Sequence, residues 1–440
     1  MTRFSSNSMR AGKVLVAFIL LLAVGFQAPL LAKDKKKKQK EQAATPAAKP
    51  KQDTSLLIWP APPSIGRVKY LTYFAGQKIP TEAEDKAATK AKKQSWMDRV
   101  AGIAPEKRKE NRMLPFQLLG PYGMAANSKG EVFVADQKVG AVFVFNAENR
   151  DEVKLIRNGF EATFGLINGL AIDDDDRIFI TDGKLHRVLI LDKTYKVLDQ
   201  IKDGLVDPVG IAIDTENRLV YVADTQQDQV LVYDADSLKP VRQIGHVGKK
   251  HEMTGPGDFS GPTGVALDKD NNVYVTDTMN YRVEIFDADG NFINQIGRHC
   301  DGPGCFAHPK GIAVDGDGHI WVADPMLDML QVFDREGQLL AFIGGHGELL
   351  GQFSSLVGVA FDRKFNRVFT AEQYPGRVQA FRYITDVEAE QLKKEKEAQR
   401  SGAKAAREQA PAPTAAPPAA SPAALSANQA KTEKSDGKPQ

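Results

Sequence analysis

The stretch GPTGVALDKDNNVYVTDTMNYRVEIFDADGNFINQIG, running from Gly261 to Gly297, decides the fold. Within it Val265–Asp268, Val273–Thr276, Arg282–Phe286 and Phe292–Ile296 are short, alternating apolar runs, broken by Asp270–Asn272 and Asp287–Asn291. Short β-rich runs bounded by Asp, Asn and Gly are antiparallel strands joined by tight turns. The pattern recurs through Pro121–Tyr383. Its glycine returns as Gly123, Gly169, Gly210, Gly264, Gly311 and Gly358, at intervals of 46, 41, 54, 47 and 47 residues. The acidic residue ending its second run returns as Asp136, Asp182, Asp224, Asp277, Asp324 and Glu372. Such a period, with four short strands per copy, predicts an all-β, six-bladed propeller.

The sixth copy carries only three strands, Val359–Phe361, Arg367–Thr370 and Arg377–Phe381, before charged sequence begins. The missing strand is expected from the N-terminal side, in GRVKYLTYFAG, Gly66 to Gly76. Pairing it with the last copy closes the ring and removes an exposed sheet edge. The propeller is thus expected over 58–383, with the closing strand at 66–76, a helical excursion at 95–113 and the blades at 121–383. The apolar face of that excursion is Trp96, Val100 and Ile103.

The flanks read differently. Arg3, Arg10 and Lys13 precede the apolar run Val14–Gly25, with Pro29 and Ala32 before Lys33. That order predicts a secretory signal over 1–32, with an uncleaved membrane anchor as the competing reading. Either places the propeller outside the cytoplasm. No cysteine lies near the cleavage point to support lipid attachment. Residues 33–57 read as a basic disordered linker, and KDKKKKQK from Lys33 as solvated charge rather than a polymer or lipid contact. A charged helix is expected over 384–409 and a Pro/Ala-rich disordered tail over 410–440.

Charge is segregated. Pro121–Tyr383 holds 26 Lys and Arg against 39 Asp and Glu, whereas the rest of the chain holds 32 against 17. An acidic ring with basic flanks has the wrong polarity for a propeller that grips phosphate, so nucleic acid is excluded as a partner.

Antiparallel strands put the first-to-second and third-to-fourth turns on one face and the remaining connections on the other. The first face has short polar turns. The second carries the loops His246–Gly261, Arg298–Pro309 and Gly344–Ser355, and long loops on a rigid scaffold are where binding concentrates. Residues preceding the repeat glycines are expected to ring the channel mouth there: Tyr122, Asn168, Val209, Thr263, Lys310 and Val357.

The pattern P-x-G-[IV]-A-[VIL]-D, then [VI]-[YFW]-V-[AT]-D, then [RQ]-V-x-[IV]-[FY]-D, resembles the NHL repeat. The resemblance covers about Pro121–Tyr383 plus the closing strand, and implies a six-bladed NHL propeller. It says little of function, since similar rings include scaffolds, receptor ectodomains and enzymes. Peptidyl-amide lyases with such rings place metal-binding histidines before several repeat glycines, and none of the six mouth positions here is His. Lactonases related to regucalcin use a Glu, an Asn and an Asp around the channel. Asn168, in NGLAID, matches one of these, and the other mouth positions offer no carboxylate.

Other candidates weigh towards structure. His299-Cys300-x4-Cys305-x2-His308 offers two thiols and two imidazoles, which suits a disulfide, free thiols or a metal. The disulfide Cys300–Cys305 is favoured in an oxidising compartment. Haem attachment lacks its C-x-x-C-H order. The run Asp173–Asp176 and the pairs Asp268/Asp270, Asp287/Asp289 and Asp315/Asp317 lack the bidentate Glu of a calcium loop and fit tight turns. The acids ending the second strands are expected to accept backbone N–H groups, with Arg187, Arg282 and Arg377 pairing locally.

No nucleophilic triad, phosphate loop or acid–base pair emerges. The expectation is a non-enzymatic binding or scaffold propeller of a bacterial periplasm or envelope. It has no cofactor or metal, and its partner is a protein or envelope polymer, with a membrane tether possible through the N-terminus. The runner-up is a lyase or hydrolase, lactonase-like, working at the mouth near Asn168, Tyr122 and Lys310.

Overall fold

The computed structural model describes residues 52–61, 64–77, 116–149, 152–247 and 255–408. The segments read as signal, helical excursion and C-terminal tail lie outside the described residues, as does most of the basic linker. The chain forms a six-bladed β-propeller. Blade 1 comprises Pro121–Ala126, Glu131–Asp136, Ala141–Asn146 and Val153–Arg157, and blades 2 to 5 repeat this four-stranded antiparallel order. In blade 4 the strands are Pro262–Leu267, Val273–Asp277, Arg282–Phe286 and Phe292–Ile296.

Blade 6 takes Leu356–Asp362, Arg367–Glu372 and Arg377–Tyr383 from the C-terminal side and Val68–Phe74 from the N-terminal side. Val68–Phe74 runs antiparallel to Arg377–Tyr383, with a register shift between Tyr70 and Thr72. That bulge switches the buried side of the strand: Val68 and Tyr70 pack towards blade 5, and Phe74 packs towards blade 1. One strand thereby fills two inter-blade layers.

Two details depart from the sequence reading. The closing strand is not the last one, because Ile58–Trp59 pairs outside it. The final residues of the expected linker, 52–57, are folded: Thr54–Leu56 form a 3-10 turn capped by Asp53, and Gln52 exchanges two hydrogen bonds with Leu350. The reason is composition, since Leu57 and Trp59 join the layer between blades 5 and 6. The charged helix spans Asp386–Glu408, and Thr385 and Glu388 bond reciprocally at its start as a capping box. Among the described residues no helix is long and apolar enough to cross a membrane.

Among the described residues the core is divided into separate layers. Each apolar layer joins neighbouring blades, as when Phe133, Val142 and Val144 meet Leu170, Ile178 and Ile180. Where the innermost strands converge, backbone meets backbone. A Cβ on Gly123 would lie 2.1 Å from the Asn168 carbonyl oxygen, one on Gly264 2.5 Å from that of Lys310, and one on Gly358 2.2 Å from that of Tyr122. The repeat glycine is therefore required by close approach, which draws six sheets around one narrow axis.

Candidate functional site

The acids ending the second strands form a buried outer ring on the long-loop face; all six are 0% exposed. Asp136 accepts from the backbone N–H groups of Leu119, Gly120, Lys138 and Val139. Asp324 does the same for Ala307, His308, Met326 and Leu327. Asp277 and Glu372 take Arg282 and Arg377 at 2.8 and 2.9 Å, while Arg187 stands 3.9 Å from Asp182. These carboxylates brace the loops entering each blade.

The three long loops share a construction that was readable in sequence as Gly257-Asp258-Phe259, Gly304-Cys305-Phe306 and Gly351-Gln352-Phe353. A parallel bridge closes each base: His246–Val247 with Asp258–Phe259, His299 with Phe306, and His346 with Phe353. Each phenylalanine is buried against a left-handed glycine, Gly245, Gly297 or Gly344, where a Cβ would meet its ring at 2.4, 2.3 or 2.2 Å. A buried side chain from the third strand then takes the loop's glycine N–H. Glu284 accepts from Gly257 at 2.9 Å, Gln331 from Gly304 at 2.7 Å and Gln379 from Gly351 at 2.8 Å. Burial raises the Glu284 carboxyl to about 7. Cys300 and Cys305 are bonded as a disulfide within the second of these loops, with Cα atoms 5.6 Å apart.

Inside the acid ring a cavity of about 80 Å³ opens on the axis, lined by the repeat glycines and by Tyr122, Val209, Thr263, Lys310 and Val357. Five of the six expected mouth residues thus come together. Asn168 does not line it. It is 3% exposed, its Oδ1 accepts from Gln137 Nε2 at 2.7 Å, and its Nδ2 donates to the Pro208 carbonyl at 2.9 Å. Its amide straps blades 1, 2 and 3, in line with other straps one residue past the ring acids. Thr225 reaches the Pro262 carbonyl and Thr278 that of Pro309, each at 2.7 Å. In blade 2 that position is Gly183, which has no side chain, so Asn168 supplies the bond to blade 3.

Four titratable groups at or near the mouth are shifted from their ordinary values. The Lys310 ammonium lies 5.9 Å from the centre of the Tyr122 ring and makes no hydrogen bond or ion pair among the described residues. Burial lowers its pKa. Burial, with Lys310 second, lowers that of His308. The Tyr122 phenol is pushed up to about 12 by burial and by Asp207. Asp207, half-buried, is raised by burial and by Asp224, with His186 acting the other way. Of these, Tyr122 and Lys310 line the cavity, and perturbed titratable groups in a pocket are a common mark of a working site. Asp207 and His308 each sit three positions before a repeat glycine rather than one, so the mouth positions read from sequence did not include them.

The opposite face is saturated. Asp268 receives Asn272, Tyr274 and Arg335, and Asp315 receives His319 and Trp321. Asp173, Asp174 and Asp175 gather their carboxylates, with Arg177 at 2.7 Å from Asp173 and Arg218 at 3.1 Å from Asp174.

Residues 99–309 match the family described as SMP-30/gluconolactonase/LRE-like region, and residues 263–363 match a six-bladed β-propeller family. A probable peptidyl-alpha-hydroxyglycine alpha-amidating lyase of Caenorhabditis elegans is 31% identical over 180 residues, 40% of this chain and 43% of that protein. The chain thus spans less than half the length of that curated relative. Among solved structures, virginiamycin B lyase from Staphylococcus aureus is 16% identical over 60% of this chain and 96% of its own, with a TM-score of 0.44. A gluconolactonase from Xanthomonas campestris is 16% identical over 61% and 89%, with a TM-score of 0.47.

The lactonase resemblance implies a divalent metal, and the mouth residues do not fit one. The Asn168 oxygen is committed to Gln137, and an ammonium, Lys310, occupies the lining. No residue lining the cavity carries a carboxylate, which leaves too few anionic oxygens for a hard cation.

Proposed function

We propose that the protein is an NHL-type binding propeller that works outside the cytoplasm of a bacterium and holds a ligand or protein partner at its long-loop face without turning it over. The observation that carries this reading is the mouth itself. Tyr122, Thr263 and Lys310 line it, the Lys310 ammonium makes no hydrogen bond or ion pair among the described residues, and loops locked on Phe259, Phe306 and Phe353 frame it. Such a rigid rim with unsatisfied groups is suited to binding. The basic, apolar order of residues 1–32 supports export or anchoring, and the Cys300–Cys305 disulfide accords with an oxidising compartment. A protein or envelope polymer is the partner class this setting favours.

Filling the mouth tests the reading. Thr263→Trp should abolish capture of the partner from envelope extracts while leaving thermal unfolding close to wild type. Undiminished capture would remove the mouth from the account. A second reading, a lyase or hydrolase at the same mouth, is favoured by the gluconolactonase-like match over 99–309 together with the shifted Tyr122, His308 and Lys310. Turnover of lactones, lost in Lys310→Met, would establish it, whereas loss in Asn168→Ala would report only the strap. In the binding reading that variant has no turnover to lose, and costs about 1–2 kcal/mol of stability through its two inter-blade bonds.

A further inference from the structure

We propose that the channel mouth binds an apolar monocarboxylate, its anionic headgroup on the Lys310 ammonium and its hydrocarbon body on the rim formed by Met279, Met326 and Tyr374. This rests on the reading of the mouth as a binding site and names what enters it. Lys310 lines the axial cavity, and no lining residue carries a carboxylate. Its backbone is fixed on both sides: the N–H donates to the Ala323 carbonyl at 2.9 Å, and the carbonyl accepts from Thr276 Oγ1 at 2.7 Å. Its ammonium is left over. Among the described residues it makes no hydrogen bond or ion pair, and it stands 5.9 Å from the centre of the Tyr122 ring. Half-burying a lone charge costs free energy, and proteins ordinarily match it with an opposite charge. Elsewhere in this molecule that rule is kept, as with Arg282 on Asp277 and Arg377 on Glu372. An unanswered ammonium in a lining without acids is the complement of one negative charge, which a carboxylate supplies and a doubly charged phosphate exceeds.

The rim beside Lys310 is apolar where the rest is polar. Two residues past each ring acid the chain turns on the long-loop face. That position is Met279, Met326 and Tyr374 on blades 4, 5 and 6, but Lys138, Lys184 and Gln226 on blades 1, 2 and 3. The three apolar side chains are 54%, 72% and 61% exposed. Lys310 leads into Ile312–Val314, the innermost strand of blade 5, which is the middle blade of that arc. Hydrogen bonds tie two of the three turns to its segment. Thr278, next to Met279, donates to the Pro309 carbonyl at 2.7 Å, and the Asp324 carboxylate takes the N–H of Met326 at 3.0 Å and that of His308 at 2.9 Å. Exposed methionine is flexible and polarisable, a surface that moulds itself to apolar ligands. Val209 and Val357 give the cavity apolar walls, and at about 80 Å³ it has the size of a headgroup, which leaves the hydrocarbon to the rim. Asp207, whose charge reaches Tyr122, leads into blade 3, outside the arc. The pKa direction agrees, since burial weakens the charged form of Lys310 and a ligand's negative charge would restore it.

The experiment is calorimetry and methionine-methyl NMR on the full chain, using alkanoates from acetate to octanoate, alkylammonium ions and alcohols of equal length, and inorganic phosphate. Octanoate should bind roughly tenfold more tightly than octylammonium or octanol and shift the Met279 and Met326 methyl signals. Each added methylene should tighten binding roughly twofold. Lys310→Gln should weaken octanoate roughly ten- to a hundredfold while keeping the gain per methylene, and Lys310→Arg should retain part of the affinity. Met279→Ser combined with Met326→Ser should remove the gain per methylene and keep the preference for acid over alcohol. Octylammonium binding as tightly as octanoate, or octanoate binding untouched by Lys310→Gln, would overturn the proposal. Acetate or phosphate matching octanoate would do the same, because the site would then read a bare anion. Binding by no probe would overturn this ligand alone, because partner capture by the mouth-filled Thr263→Trp variant tests the underlying reading separately. Cooperative thermal unfolding of each variant confirms that it folds.

Discussion

Two rings of residues share the long-loop face, a few residues apart in sequence, and they obey opposite rules. The outer ring, Asp136 to Glu372, repeats in every blade, is wholly buried, and spends its carboxylates on loop N–H groups and arginines. The inner mouth varies from blade to blade, and at it the Lys310 ammonium stands beside Tyr122 with no hydrogen bond or ion pair among the described residues. What repeats is therefore scaffold, and what breaks the repeat is the candidate site. Acidity alone does not mark the outer ring, since Asp207 donates its N–H to Asp224 yet is not one of the six.

The largest effect should come from breaking the outer ring. Asp324→Ala leaves the N–H groups of Ala307, His308, Met326 and Leu327 without their acceptor in a buried setting. Orphaned buried donors cost about 1–3 kcal/mol each when water cannot replace the partner, so a loss of at least about 3 kcal/mol is expected in the denaturant midpoint. A loss below about 1 kcal/mol would mean that the ring is less closed to water than its burial implies.

This contrast also explains what was legible in sequence. Blade number, the third and fourth strands of blade 4, and ring closure by Val68–Phe74 follow from alternation and turn residues, which act locally. The repeat glycines were visible, but not why they are glycines, because the Asn168 and Tyr122 carbonyls that would meet a Cβ belong to neighbouring blades. Asn168 looked like a ligand because its context matched one; its neighbours Gln137 and Pro208 turn it into a strap. Asp207 and His308 were not read as neighbours of the mouth because they share one repeat position, three before the glycine, where the other blades carry Gly120, Leu166, Gly261 and Ser355. A chain of repeats announces its average, and a site built from exceptions has to be assembled in space.

The comparison is sharpened within the scaffold by blade 4. Arg282, Asp277 and Glu284 stand where blade 6 has Arg377, Glu372 and Gln379, so a glutamine is known to fit beside the arginine. The Glu284 carboxyl is raised by burial from 4.5 to about 7. A raised carboxyl means the folded protein keeps a proton that the unfolded chain has released. Its stabilising contribution is complete below 4.5, falls as pH rises through that window, and is gone above about 7. Glu284→Gln should remove this slope and, at mildly alkaline pH, stabilise the protein by about 1–3 kcal/mol while matching wild type in acid. Equal pH profiles for the two proteins would show that the pair with Arg282, at 3.2 Å, already compensates the buried charge.

The smallest effect is the one that best separates scaffold from site, because its sign differs. Lys310 has no carboxylate to lose, so Lys310→Met removes a desolvated charge and keeps an apolar stem beside Tyr122. Thermal unfolding should shift upwards, by about 0.5–1 kcal/mol in stability, while ligand binding at the mouth disappears. A side chain selected for the fold would show the reverse, a loss of stability with binding intact or reduced in proportion. Lys310→Arg refines the outcome: it keeps the positive charge, and should retain part of the binding if charge is what the ligand reads. If Lys310→Met destabilises instead, the contact with the Tyr122 ring is a structural clasp, and the mouth loses its claim to differ from the ring around it.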